Sequence, residues 1–302
     1  MSNDPPTRFG TIVLAGKPNA GKSTLLNAMV GQKLAIVSPK PQSTRSPVMG
    51  LVSDASSQLL FVDPPGLLEP SGIMQQSMLD CAVDALEAAN AVLLLHPVTE
   101  GPPPSMESLV PDFRFASRPV ATVLTKADML PVGSWPTVTP PEFLVSAETG
   151  EGISDLIAWC RNQAPPGEFR YDADDIGTKP LRFFVAELVR ESAFEALDQE
   201  LPYAMAALVD EFREDRKPVY IRVTLYVERE SQKGMVIGKG GATIKAIGAA
   251  SRAKVEELIG ERVYLDLWVK VLAKWRKSPK MLRMFGLPVT PKKENKKEKR
   301  SS

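Results

Sequence analysis

The chain has 302 residues, 43% of them hydrophobic, with 37 Lys and Arg against 36 Asp and Glu, a length and apolar content that suit two cores better than one. No apolar run reaches the length of a membrane span, and Met1 to Phe9 lacks a signal peptide's hydrophobic centre, so a spanning or secreted protein is not expected. Cys81 and Cys160 stand far apart with no C-x-x-C and only His96 near them, which argues against a disulfide scaffold or a zinc site and for packed, reduced thiols.

The apolar run Thr11 to Ala15 predicts a strand, and Thr24 to Val30 has the pattern of a helix. Between them lies Gly16-Lys17-Pro18-Asn19-Ala20-Gly21-Lys22-Ser23, which has the spacing G-x-x-x-x-G-K-S of a phosphate-binding loop. Glycines let successive N–H groups turn inward, and the helix that follows adds its positive end. Lys22 can then reach the β- and γ-phosphates, Ser23 offers a hydroxyl to Mg²⁺, and Gly16, Asn19, Ala20, Gly21 and Thr24 complete the expected nucleotide cradle.

Ser38 to Pro47 is too rich in Pro, Ser and Thr for a regular element and predicts a mobile loop, in which Thr44 is a candidate second hydroxyl for the metal. Val48 to Val52 and Gln58 to Val62 flank Ser53 to Ser57 as a hairpin, and the second strand ends in Asp63-Pro64-Pro65-Gly66. An acidic residue there can hold Mg²⁺ through water, and the Gly66 N–H can meet a γ-phosphate. The runs Ala91 to Leu95 and Val120 to Leu124 read as central parallel strands covered by helices at Ser77 to Ala89 and Ile153 to Gln163. His96, at a strand end, reads as structural. Two further strand ends carry Thr125-Lys126-Ala127-Asp128 and Ser146-Ala147-Glu148, where a carboxylate at Asp128 can accept from guanine N1–H and the exocyclic amine and the Ala147 N–H can meet the guanine carbonyl.

These five motifs, in order over roughly residues 8 to 164, resemble the translation-factor-like GTPases. The resemblance implies an α/β GTPase domain: a mostly parallel sheet with one antiparallel edge strand and helices on both faces. It also implies Lys22, Thr44 and Gly66 as catalytic residues and Ser23, Thr44 and Asp63 as metal ligands. The base site would be Thr125, Lys126, Asp128, Ser146 and Ala147. Two departures stand out. Thr125 replaces the asparagine of N-K-x-D and, being shorter, is expected to weaken the link between base site and phosphate loop. Leu67 follows Gly66 where Ras-like enzymes carry a water-orienting glutamine, so slow intrinsic hydrolysis is expected. The order Pro18-Asn19-x-Gly21-Lys22-Ser23 also resembles the potassium-dependent GTPases, which makes K⁺ a candidate cofactor held by Asn19; the other reading is that Asn19 caps its own loop.

Ala164 to Gly167 and the acidic Tyr171 to Asp175 read as a linker, set at residues 165–180 after a GTPase domain at 1–164. Leu181 to Leu197 is an amphipathic helix, Ala204 to Phe212 and Val219 to Val227 are strands, and Met235 to Ile244 leads into a helix at Lys245 to Ile259 and a third strand at Val263 to Val269. This order, with Gly238-Lys239-Gly240-Gly241 as a G-x-x-G loop, resembles a type II KH RNA-binding domain, an α+β unit set at 181–287. It implies that Gly238, Gly240 and Gly241 let a nucleic-acid backbone lie against bare peptide, that Lys239 adds charge, and that Ile237, Ile244 and Ile247 line the base groove.

A GTPase followed by a KH domain resembles the Era GTPases of ribosome assembly, from about Phe9 to Leu287. Gln42-Ser43-Thr44-Arg45, Ser146-Ala147-Glu148-Thr149-Gly150, Leu201-Pro202-Tyr203, Val227-Glu228-Arg229-Glu230 and Leu267-Trp268-Val269-Lys270-Val271 support it. Pro64, where the family has threonine in D-T-P-G, and the Pro-rich stretches Gly101 to Pro104 and Pro131 to Pro141 depart from it; the second leaves little room for a helix before Ser146. The resemblance implies GTP and GDP with Mg²⁺, a partner in the 3′ end of small-subunit ribosomal RNA within an assembling small subunit, and a monomer. It implies a cytoplasmic location, with peripheral association at the inner face of the cell membrane left open and no transmembrane segment. Residues 270–302 carry twelve Lys and Arg against Glu294 and Glu298, a balance of +10 that leaves −9 for the rest and points to a polyanionic partner for that end. The basic tail at 288–302 is expected to be disordered. The rival reading is a GTP-responsive RNA-binding scaffold with negligible turnover; a third, a P-loop ATPase or kinase, is opposed by Asp128.

Overall fold

The structure, a computed structural model, describes residues 7–38, 40, 43–111, 118–131, 134–172, 175, 177–198, 200–287 and 289. Gln42, residues 173, 174 and 176 of the expected linker, and the basic tail apart from Val289 lie outside the described residues.

The first half is built from β1 (Arg8–Ala15), α1 (Lys22–Val30), the hairpin β2 (Val48–Ser53) and β3 (Ser57–Asp63), α2 (Ile73–Ala88), β4 (Ala91–Pro97), a short α3 (Met106–Leu109), β5 (Val120–Thr125), β6 (Glu142–Leu144) and α4 (Ile153–Gln163). The strands form one sheet in the order β2-β3-β1-β4-β5-β6, parallel throughout except for β2 at the edge. Alternation along β1 shows why both faces are covered: Ile12 and Leu14 join α1 and α4 through Leu25, Leu26, Leu156 and Cys160, while Phe9, Val13 and Ala15 join α2 through Ala82 and Leu86. Both cysteines are free and buried, and burial pushes their thiols up, Cys81 to about 11 and Cys160 to about 12. His96 is buried with Nε2 against the carbonyls of Glu100 and Gly101, a structural placement. Among the described residues, the Pro-rich stretch before β6 forms no helix beyond the single turn Ala127–Met129.

The second half runs α5 (Leu181–Ala196), β7 (Ala206–Arg213), β8 (Val219–Val227), α6 (Glu230–Ile237), α7 (Ala242–Ile259), β9 (Val263–Val271) and α8 (Pro279–Met284). β7 and β8 are antiparallel and β9 lies parallel to β8, with α5 and α7 packed on one face. Ile221, Val223 and Leu225 alternate inward from β8 and meet Val185, Leu188 and Val189 of α5.

The stretch between the halves is tied down. Phe9 N–H donates to the Pro165 carbonyl, Gly167 N–H to the Thr7 carbonyl, and the Gln58 side chain accepts from Arg170 and Tyr171 N–H. A last cluster closes the molecule: fully buried Trp275, with Leu282 and Leu287 near the end of the described chain, packs on Met74 and Met78 of α2. Trp275 Nε1–H donates to the Ala204 carbonyl at 3.0 Å, which settles its one polar atom inside that apolar cluster. Among the described residues no helix is long and apolar enough to cross a membrane.

Candidate functional site

Four of the five sequence-predicted motifs leave the sheet from the carboxyl ends of its strands, where parallel α/β sheets open a crevice, and the fifth, the loop bearing Thr44, enters the antiparallel edge strand β2. The loop from Gly16 follows β1, Gly66 follows β3, Asp128 follows β5 and Ser146 follows β6. Gly16 has φ 149°, and a Cβ there would meet the Leu95 carbonyl oxygen at 2.6 Å, so only glycine lets the loop pass β4 this closely. Asn19 takes φ 63° and Gly21 φ 88°, left-handed backbone that asparagine and glycine tolerate. Gly21 caps α1 without a side-chain acceptor, so the N–H groups of the first turn face the loop's hollow.

The hollow is a cavity of about 310 Å³ lined by Pro18, Asn19, Gly21 to Thr24, Ile36 to Ser38, Ser43, Thr44, Gly66 and Lys126. Gly16 and Ala20 lie behind it, Ala20 almost wholly buried. Lys22 is buried with Nζ donating to the Gly16 and Lys17 carbonyls at 3.3 and 3.0 Å, and burial holds its pKa below the usual lysine range against the attraction of Asp63. Ser23 Oγ donates to Asp63 Oδ2 at 2.5 Å and stands 3.1 Å from Thr44 Oγ1. The three expected metal ligands are therefore together. Asp63 is fully buried, its pKa is pushed up to about 6 by that burial, and its Oδ1 has no hydrogen-bond partner. A buried carboxylate oxygen left bare beside two hydroxyls fits a hard, oxygen-seeking cation such as Mg²⁺, which takes few protein ligands.

The expected base-site residues form a second group. Asp128 is exposed and its Oδ1 accepts from Ser146 Oγ at 2.7 Å; Ala147 follows, half-buried. Thr125 corrects an expectation. Short as it is, its buried hydroxyl donates to the Ala20 carbonyl at 2.8 Å, so the tie between base group and phosphate loop is made. Leu67 is buried against Val62 and Leu86, turned into the core.

In the second half, Ile237, Gly238, Lys239, Gly240, Gly241 and Ile244 sit together at the junction of α6 and α7, with Lys239 and Gly240 exposed and Gly238, Gly240 and Gly241 all at positive φ. A groove runs from there between α7 and β9, lined by Ile244, Lys245, Gly248, Arg252 and Leu267. Ile247 does not line it. Its side chain is fully buried beneath α7, because the face of that helix three residues on from Ile244 points at α5 and the sheet.

What sequence reading missed is how the loop over the nucleotide cavity is held. Arg45 is buried and donates to the carbonyls of Met205, Pro202 and Tyr203, at 2.5, 3.0 and 3.1 Å. Lys40 Nζ donates to the Phe194 and Leu197 carbonyls, and Arg190 Nη2 to the Ser43 carbonyl. Glu191, 1% exposed, accepts from Val37 N–H and pairs with Lys33 and Lys254; burial would raise its pKa, yet these partners hold it below the usual carboxylate range. No local pattern announces these contacts, since the ties from the loop to the second half span some 150 positions and that from Glu191 to Lys254 spans 63.

Comparison with known proteins gives two family models: a 50S ribosome-binding GTPase over residues 11–126 and a KH domain over residues 200–276. The GTPase Era of Desulfovibrio desulfuricans is 38% identical, covering 93% of this chain and 97% of its own; that of Mycolicibacterium paratuberculosis is 38% identical over 92% and 98%. Among solved structures, an Aquifex aeolicus Era variant bound to GDP and aluminium fluoride matches with a TM-score of 0.86 at 34% identity, over 93% of this chain and 100% of that one. An Era in complex with MgGDPNP and nucleotides 1506–1542 of 16S ribosomal RNA matches with a TM-score of 0.85 at 34% identity, over 93% and 99%.

Proposed function

The chain belongs to the Era family of GTPases, and from that premise we propose that it binds and hydrolyses GTP with Mg²⁺ in the cytoplasm and engages the 3′ region of small-subunit ribosomal RNA through its KH half. The observation that carries the nucleotide reading is the meeting of Ser23, Thr44 and Asp63 around one bare carboxylate oxygen, beside a buried lysine. Mg²⁺, when bound, neutralises charge on the β- and γ-phosphates. Lys22 exchanges its two carbonyl partners for phosphate oxygens, the Gly66 N–H faces the γ-phosphate, and Asp128 accepts from the guanine edge while Ser146 orients it. Leu67, turned into the core, leaves the attacking water without a side-chain guide, which supports slow intrinsic turnover. The missing countercharge comes from a monovalent cation held near Asn19 or from the bound partner.

On the RNA side, the G-x-x-G glycines let a phosphodiester backbone approach α6 and α7 closely while bases enter the groove beside Ile244. The loop bearing Thr44 is tied through Arg45, Lys40 and Ser43 to α5 and the turn before β7, which supports direct coupling between nucleotide state and RNA engagement. Phosphate release measured with GTP and with ATP, with and without a small-subunit rRNA fragment, tests the whole reading. GTP-specific turnover that RNA alters is the expected result; ATP turnover, or none with either nucleotide, would overturn it.

A further inference from the structure

Between the loop at Arg45 and the KH half lies a second cavity, of about 270 Å³, whose lining includes Arg45, Arg182, Glu187, Arg190, Trp275 and Phe285. None of its lining residues lines the nucleotide cavity. It holds three guanidinium groups against one carboxylate. Arg190 is 3% exposed; its Nε and Nη2 go to Glu187 and its Nη2 also to the Ser43 carbonyl, while its Nη1 is buried with no hydrogen-bond partner. Arg45 spends its donors on three neutral carbonyls, which satisfy its geometry without answering its charge. Burial and the facing charge of Arg190 push its pKa down to about 9. Arg182, at the start of α5, adds a third positive group at the exposed side.

Buried charge is tolerated when paired, and here the two buried guanidiniums of Arg45 and Arg190 face one carboxylate, short of neutrality by one, with exposed Arg182 adding a further positive charge at the rim. The cavity has several times the roughly 30 Å³ that a water occupies, and its rings of Trp275 and Phe285 lower the local dielectric and so strengthen any ion held there. A planar guanidinium matches a phosphate oxygen in both geometry and charge; exposed Arg182 can present its N–H groups to the cavity, while the Nη1 of Arg190 lies covered behind its wall and contributes charge. We propose that this interdomain cavity is a binding site for a small oxyanion of the phosphate class, held by Arg182 at its mouth in the field of the buried Arg190 and Arg45. Bound there, the anion links the loop after Thr44 to α5 and stabilises the docked arrangement of the two halves.

The test uses the full chain with its nucleotide site saturated by GDP and Mg²⁺, in chloride buffer, titrated calorimetrically with inorganic phosphate and with pyrophosphate. Saturable binding is expected for at least one of them. Arg182→Ala should raise its Kd at least tenfold, and Glu187→Gln, which removes the competing carboxylate, should lower it, with GDP affinity unchanged in both. Tighter binding of pyrophosphate would assign the site to diphosphate groups, tighter phosphate to a monophosphate. Absence of saturable binding, or binding that survives Arg182→Ala unchanged and disappears in Lys22→Ala, would overturn the proposal by placing the anion in the nucleotide loop or nowhere.

Discussion

The phosphate loop and the loop that closes over it are built on opposite principles. From Gly16 to Ser23 the chain is held within its own half: Lys22 bonds carbonyls five and six residues back, Gly21 starts the helix whose N–H groups face the cavity, and the longer ties, from Thr125 to Ala20 and from Leu67 N–H to Gly16, come from β5 and the loop after β3 of the same sheet. The loop from Ser38 to Pro47 borrows its anchors from the other half of the molecule, through Lys40, Ser43 and Arg45. Anchoring inside its own half shields the first site from how the other half is docked. The second can be read by whatever moves α5, and that is what a nucleotide switch coupled to RNA requires.

Breaking the local side should cost most. Lys22→Ala removes the one buried cation that faces the phosphates among the described residues, and GTP affinity measured by calorimetry should fall at least about a hundredfold, some 2.7 kcal/mol. Unchanged affinity would show that backbone N–H groups alone carry the site. Arg45→Ala acts on the long-range side. Three carbonyls lose their donor, so thermal unfolding should report a loss of about 2 kcal/mol, GTP affinity should drop less than tenfold, and RNA should cease to alter turnover. RNA stimulation that persists in this variant would mean the coupling runs elsewhere.

Asp63 joins the two loops, and its titration sharpens the contrast. Its folded pKa, about 6, lies above the ordinary 3.8, so the folded state holds the proton more tightly. The stability from this group is full below about pH 3.8 and is lost as pH rises through 6. Asp63→Asn should therefore stabilise the nucleotide-free chain at pH 7.5 by about 1–2 kcal/mol, with no gain at pH 4, while abolishing the Mg²⁺-dependent tightening of GTP. A variant destabilised at pH 7.5 would contradict the uncompensated burial. Gly240→Asp probes the surface at the far end of the coupling: a Cβ there meets nothing within 4 Å, whereas at Gly238 it would strike Thr243, so position 240 adds charge at the cost only of its left-handed backbone, φ 60°, which aspartate takes more readily than most residues. RNA affinity by fluorescence anisotropy should weaken about tenfold, roughly 1.4 kcal/mol, with basal GTP hydrolysis retained. The smallest effect concerns Asn19. K⁺ should raise turnover a few-fold over Na⁺ at equal ionic strength, and Asn19→Ala should erase the difference; equal rates in both salts leave the cap reading, for which the left-handed backbone at Asn19 already speaks.

How much was legible follows the same division. The phosphate loop, Asp63, Asp128 and the G-x-x-G turn could be read because each is a short run whose spacing dictates its own backbone, and because parallel strands all point their carboxyl ends at one crevice. Thr125 was misjudged by side-chain length alone; its reach to Ala20 depends on how near β5 brings the two backbones. Ile247 was placed in the groove by the resemblance to a KH domain, but packing of α7 on α5 turns it inward and leaves Ile244 at the groove. The proline- and acid-rich stretch after Ala164 read as a linker from its composition, which says nothing of its packing; Gln58 and Phe9 hold its first part against the sheet. By itself, then, the sequence determined the order of elements, the chemistry of each strand end and the two kinds of ligand. Only the tertiary structure decided that Arg45 belongs to both halves, because a contact between residues some 160 positions apart is specified by the shape of the packed surfaces and leaves no periodic trace in the chain.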